Sequence, residues 1–208
     1  ELITIDQTNA AGTSVGSGAT DPDVGLTGLA FDASGALFAS TTSAPLFPPP
    51  GAPPTPPLST LIQLDPVTGE QVALLGTIRL ADDTPIVISD LALQPGTGVL
   101  FGTAINLTTG TNNIYTINRT TAVATLVGDT GIIGATLAFG PDGTLYQTSA
   151  EFNEAGFVRG FLNTLDPTTA TVLTTSNPFT EAHIRGLTVR PTDGSIFASG
   201  GMTSDIYT

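Results

Sequence analysis

Few side chains in this sequence could do chemistry. Its one imidazole is His183, in the run Thr180-Glu181-Ala182-His183-Ile184-Arg185, and it contains no Cys and no Lys. Glu181 and His183 are spaced i, i+2, which on a strand puts both on one face, where a carboxylate and an imidazole can act as an acid-base pair. A solvated histidine at the rim is the commoner explanation of the same residues. Inward carboxylates are the other option: Asp23, Asp90 and Glu181 fall at comparable points of a repeat, and with His183 they could support calcium-assisted hydrolysis. The set is incomplete, since the matching positions in the third repeat are Ala135 and Thr136. The acidic pairs Asp21-Pro22-Asp23 and Asp82-Asp83 lack the spaced ligands and the Gly of an EF-hand loop, so they read as solvated acidic loops. No metal site and no cofactor is therefore expected, and the balance favours a chain that is not an enzyme.

The elements that position these residues follow from a repeat. Leu29-Ala30-Phe31-Asp32-Ala33-Ser34-Gly35-Ala36-Leu37-Phe38 returns as Leu91 to Phe101, as Leu137 to Tyr146 and as Leu187 to Phe197. Each copy is a strand, a turn carrying Asp, Pro or Gly, and a second strand. A second pattern alternates with it: Leu61-Ile62-Gln63-Leu64-Asp65-Pro66-Val67-Thr68-Gly69, echoed from Ile114, from Leu162 and from Leu2. Its Asx and Thr suit an Asx-turn, with a further strand expected at 71–77, 122–127, 171–175 and 13–17. No apolar period of 3.6 persists over ten residues, so no helix is expected.

Four short antiparallel strands recurring about every 50 residues make an all-β chain, a β-propeller of four blades or a four-blade portion of a larger one. At these motifs the sequence resembles the bacterial extracellular propeller repeats with a Leu-Tyr-x-Ile-Asp-Pro-x-Thr-Gly consensus, relatives of the YVTN and NHL-type propellers. The resemblance spans nearly the whole chain outside 41–59. It implies the fold and an extracellular or cell-surface location, and it transfers no catalytic residue.

The domain reading is one propeller over 1–208 with a proline-rich insertion at 44–57. Eight Pro in that stretch remove sheet donors and favour polyproline II, giving an exposed arm in which Leu46 and Phe47 are apolar anchors. At the termini, residues 2–6 and 205–208 compete for the third strand of blade four. The ring closes within the chain, or the chain belongs to a larger ring, or the spare strand docks on a neighbouring subunit and builds a head-to-tail filament. The assembly residues in that last reading are Leu2, Ile3, Ile5, Ile206, Tyr207, Leu46 and Phe47. Asn106-Leu107-Thr108 and Asn118-Arg119-Thr120 are acceptor sequons, so Asn106 and Asn118 are candidate glycosylation sites.

Composition narrows the partners. With 18 acidic and 5 basic side chains the formal charge is -13, and five Arg cannot supply a basic face for a phosphate backbone, so nucleic acid is excluded. No apolar run is long enough for a membrane span. The expectation is a non-enzymatic extracellular structural or adhesive module, glycosylated and self-associating. The alternatives are a calcium-assisted hydrolase or lactonase-like propeller, and a glycan- or protein-binding one using Phe152, Phe157, Phe161 and Phe179.

Overall fold

A computed structural model describes residues 2–16, 25–42, 58–153, 156–179, 184–200 and 206–207. The proline-rich insertion, with Leu46 and Phe47, lies outside them, as do Asp23, Glu181 and His183. The chain opens with a hairpin, β1 (Leu2–Ile5) and β2 (Gly12–Val15). Blade one follows as β3 (Gly25–Phe31), β4 (Leu37–Thr42), β5 (Ser59–Leu64) and β6 (Gln71–Thr77), and blade two as β7 (Asp90–Leu93), β8 (Leu100–Ile105), β9 (Asn112–Ile117) and β10 (Ala124–Asp129). Blade three holds β11 (Gly134–Phe139), β12 (Leu145–Asn153), β13 (Gly156–Leu165) and β14 (Val172–Thr175), and blade four holds β15 (Ile184–Val189), β16 (Ile196–Gly200) and β17 (Ile206–Tyr207). All pairings within these sheets are antiparallel between strands consecutive in sequence.

The turn chemistry is the one the repeat encodes. Asp65 Oδ1 accepts the backbone N–H of Val67 at 2.7 Å, Asn118 Oδ1 that of Thr120 at 2.9 Å, and Asp166 Oδ1 that of Thr168 at 2.7 Å. The residue four places after each Asx closes the turn with φ near +60°: Gly69 at 73°, Ala122 at 55°, Ala170 at 63°, and Ala10 at 60° after Asp6. Left-handed backbone costs a non-glycine residue about 1 kcal/mol or somewhat more. Ala122 and Ala170 recover this because their methyls are fully buried between blades, whereas Ala10 is exposed. Ala10→Gly should therefore raise stability by up to about 1 kcal/mol, while Ala122→Gly should not, as a pair of thermal melts will show.

Blades stack through small residues. A Cβ on Gly128 would lie 2.3 Å from the Thr169 carbonyl oxygen of the next blade. The N-terminal hairpin repeats this relation: a Cβ on Gly16 would collide with the Thr68 carbonyl of blade one. Between the blades lie Leu61, Ile78, Ile88, Leu91 and Leu100 at the seam of blades one and two, and Phe101, Ile114, Leu137, Leu145 and Leu165 at that of two and three. Phe101 and Phe139 meet edge-to-face at 5.1 Å. Arg119 ties blade two to blade one, bonding Asp32 at 3.0 Å with its guanidinium 5.2 Å from the Phe38 ring centre. Arg119→Lys loses the planar stacking but keeps the charge, and should cost about 1 kcal/mol in a denaturant melt.

The inner strands β3, β7, β11 and β15 succeed one another around the arc, and β15 does not pack on β3 as the others pack on their neighbours. Of the two claimants for the place beside β16, the structure seats β17: Ala198 faces Tyr207 and Ser199 faces Ile206. The strand Leu2–Ile5 pairs with β2 instead.

Candidate functional site

Blades one to three have two unlike ends. At the turn end Leu37, Leu64, Leu100, Ile117, Leu145 and Leu165 are buried and apolar. At the loop end, where the inner strands begin, buried polar side chains gather: Ser40, Ser59, Thr103, Asn112, Thr136, Gln147 and Thr148. The cause is visible in the second strand of each unit, whose fourth residue is a hydroxyl in all four blades: Ser40, Thr103, Thr148 and Ser199. Most of these groups find partners among themselves, whereas the buried Gln147 Oε1 has none. Thr27 Oγ1 and Ser40 Oγ lie 2.8 Å apart, and Thr136 and Thr148 hydroxyls 2.7 Å apart. Asn112 and Gln147 amides both donate to Thr103 Oγ1 at 3.2 Å, the second across the seam between blades two and three. This belt was missed in the sequence because the spacing of its members matters only once four strands are laid side by side.

Asp90 is the one acidic residue on an inner strand, among Gly28, Thr136 and Gly186 at the matching positions. Its Oδ1 accepts the N–H of Leu91 and its Oδ2 reaches across to the N–H of Leu137 on β11, both at 2.8 Å. The residue keeps partial contact with solvent, yet protein crowds its carboxyl. Desolvation dominates the two hydrogen bonds and pushes the carboxyl up to about 7. The turn aspartates behave oppositely. Hydroxyls and backbone N–H groups hold Asp6, Asp32, Asp82, Asp129, Asp142, Asp166 and Asp193 below the usual carboxylate range.

The other expected site residues are not gathered here. Among the described residues no three carboxylate, imidazole or thiol groups come together as cation ligands. Phe152 is half exposed on β12, and the Arg159 guanidinium, bonded to Glu151 at 2.6 Å, sits 5.6 Å from the centre of the Phe161 ring. Phe179 closes over Gly160, whose N–H donates to the Phe179 carbonyl at 2.8 Å. The sequons fall in Asx-turns: Asn118 is exposed, and the half-buried Asn106 reaches Asp129 at 3.4 Å. A Gly-x-Ser-x-Gly pentapeptide at 12–16 runs along β2 of a hairpin rather than through the strand-to-helix elbow that exposes a nucleophilic serine.

No family model matches this sequence, and no curated protein does. Solved structures do. A gluconolactonase from Xanthomonas campestris superposes with a TM-score of 0.53 at 15% identity, covering 96% of this chain and 62% of its own. A GH43 β-1,3-galactosidase bound to galactodeoxynojirimycin gives 0.58 at 10% identity, with coverages of 85% and 67%. A glucose dehydrogenase-like putative oxidoreductase from Thermus thermophilus gives 0.52 at 14%, with 95% and 69%. The fold is a β-propeller. At these identities the likeness establishes the fold alone, and the chain spans 62% of the gluconolactonase's length.

These comparisons correct one expectation. A non-enzymatic module was inferred from missing Cys and Lys and a lone His, but similar propellers are named as a lactonase and a galactosidase. That expectation weighed carboxylates only beside the imidazole or as calcium ligands. Burial raises the Asp90 carboxyl to about 7, where it can exchange a proton near neutrality without imidazole, thiol or amine. The specific YVTN or NHL-type assignment finds no matching family model, and the broader propeller assignment stands.

Proposed function

We propose that this propeller is a hydrolase of lactone-type sugar esters, with Asp90 as its proton-transfer group. The observation that carries the reading is the Asp90 carboxyl, pushed to about 7 on an inner strand at the polar end of the blades. At neutral pH such a group is present in both forms, which suits an acid-base catalyst and is worth about 10²–10⁴ in rate. Two of its lone-pair directions bind N–H groups, and the residue keeps the partial solvent contact through which a water can approach it. The carboxylate takes a proton from water as the water oxygen bonds to the lactone carbonyl carbon. The ring C–O bond then breaks, and the protonated Asp90 returns the proton to the departing alkoxide, so the sum is lactone plus water to hydroxy acid.

Glycoside hydrolysis is the weaker reading, since it needs a pair of carboxyls flanking the bond, whereas Asp90 is the one acid on the inner strands. No step is routed through a metal. The test is proton release from glucono-lactone and related aldonolactones by purified chain. Turnover above the uncatalysed rate is expected, and a rate equal to the uncatalysed one across the panel removes the proposal. An extracellular, glycosylated setting is proposed with it, supported by the exposed sequon at Asn118. An intact mass above the bare 21.1 kDa is the expected result in material from the native source, and the bare mass would refute glycosylation.

A further inference from the structure

The seam between blades two and three is polar where its predecessor is apolar. Carrying the strand register from blade to blade, Gln147 stands where blade one has Ala39 and blade two has Gly102. Asn163 stands where they have Ile62 and Tyr115. Beside Gly102 the space is taken by hydrocarbon: a Cβ there would meet Ile117 Cδ1 at 2.8 Å and Ile88 Cδ1 at 3.1 Å. In blade three two amides occupy the corresponding places, and both are fully buried. An amide removed from water is costly unless each of its polar atoms finds a partner.

Asn163 is complete. Its Nδ2 donates to the Gln147 carbonyl at 3.2 Å and to Ser149 Oγ at 2.8 Å, and its Oδ1 accepts the Thr175 hydroxyl at 2.9 Å. Asn112, facing it from blade two, donates to Thr103 Oγ1 and accepts the Gly134 N–H at 2.8 Å. Gln147 is only half complete: its Nε2 donates to Thr103 Oγ1 at 3.2 Å, while its enclosed Oε1 accepts nothing. Thr103 Oγ1 takes both amides, which fills its lone pairs and leaves its own O–H to donate. The seam therefore holds a buried acceptor without a donor and a buried hydroxyl with a proton to give. Asp90 adjoins them, because it is the cross-strand partner of Thr103 as Leu137 is of Gln147. Its Oδ2 bond to the Leu137 N–H crosses the same seam as the bond from Gln147 to Thr103.

We propose that this seam is a binding site for one internal water, which donates to Gln147 Oε1 and accepts the Thr103 O–H, with the Asp90 carboxyl on the same face to take its second proton. Three such bonds are about what a buried water makes. The enclosure of Gln147 Oε1 excludes a substrate hydroxyl, and the few oxygens on offer are short of the about six to eight that calcium takes. Gly134 keeps the place open for the amide: a Cβ on it would lie 2.5 Å from the Thr148 carbonyl oxygen and 3.0 Å from Gln147 Nε2. The site goes beyond the hydrolase reading and does not depend on it, since it follows from the unpaired acceptor and the spare hydroxyl proton alone.

A high-resolution crystal structure of the whole chain, with a thallium soak beside it, is the test. The expected result is a water peak about 2.7–3.2 Å from both Gln147 Oε1 and Thr103 Oγ1. No peak there overturns the proposal, as does a peak that scatters anomalously after the soak, which would be a monovalent cation. An amide turned over so that its nitrogen meets a protein acceptor overturns it too. Gln147→Met, similar in length but without the acceptor, gives a second readout in solution. Oxygen-17 relaxation dispersion, which counts long-lived internal waters, should register the loss of a single water in that variant. An unchanged count in a folded Gln147→Met chain contradicts the proposal, and if the variant does not fold, the structure of the parent decides alone.

Discussion

Gly28→Val is expected to abolish the native fold or destabilise it by more than about 3 kcal/mol, beyond the usual range for a surface change. Gly28 lies on β3 where blade one meets blade two. A Cβ there would stand 2.5 Å from the Leu91 nitrogen and 2.8 Å from the Asp90 Cα. These are backbone atoms of an inner strand that pairs with β8 and contacts β11, so they cannot swing aside as a side chain would. Relief requires the two blades to part, which opens the cluster of Leu61, Ile88, Leu91 and Leu100. Gly35→Ala separates this cause from backbone conformation. Gly35 has φ of 86° but nothing within 4 Å of its Cβ position, so that variant should lose only about 1–2 kcal/mol. Chemical denaturation of the two variants beside the parent decides the matter. Equal losses would mean that the close approach at Gly28 is unimportant.

The second large effect is at Asp90. Its folded-state pKa is raised from 3.8 to about 7, so the folded chain binds this proton more tightly than the unfolded one. The stability it contributes is fully present below pH 3.8 and is lost as pH rises through about 7. At about 1.36 kcal/mol per pH unit, the span sets an upper bound of about 4 kcal/mol. The turn aspartates act the other way. Their lowered values give stability that is present above the unfolded carboxylate value and lost as pH falls through their folded ones. Together these predict a stability maximum near pH 4–5, below the usual range. Asn at position 90 removes the ionisation, although its amide NH2 cannot accept the N–H that one carboxyl oxygen binds, so one of the two hydrogen bonds is lost at every pH. Between pH 4.5 and pH 8 the melting temperature of the parent should therefore fall relative to that of Asp90→Asn by on the order of 10 °C. Melting curves that stay parallel across that interval would show that Asp90 carries no raised ionisation.

What the sequence made legible was the part of the fold written in local chemistry. Asp65, Asn118 and Asp166 each mark a turn because an Asx side chain binds backbone N–H groups two residues on, and that signal needs no tertiary context. The strand that follows each turn was foreseen within about two residues, as Gln71–Thr77 and Val172–Thr175 show. The occupant of the seat beside β16 was not foreseeable, because Glu1-Leu2-Ile3-Thr4 and Asp205-Ile206-Tyr207-Thr208 are near-equivalent strings. Only register and stacking distinguish them.

The candidate site was legible to a lesser degree. Asp90 was singled out as an inward carboxylate, yet as one member of a calcium set with Asp23 and Glu181. Its own ionisation depends on how crowded the seam between blades two and three becomes, and on the Leu137 N–H, 47 residues away, turning toward it. Neither is local. The polar belt around Thr103, Asn112 and Gln147 had a readable signal in the hydroxyl at the fourth position of each second strand, Ser40, Thr103, Thr148 and Ser199. That signal gains meaning only when the unlike ends of the blades are compared.

The account rests on Asp90 moving protons for hydrolysis, and a pH–rate profile of kcat/KM for aldonolactone hydrolysis by the parent chain and by Asp90→Asn tests this most directly. The parent should show a rate governed by one ionisation near 7, and the variant, still folded at pH 7, should lose about 10² or more in kcat with that ionisation gone. Equal rates in parent and variant, or an unchanged ionisation in the variant, would contradict it.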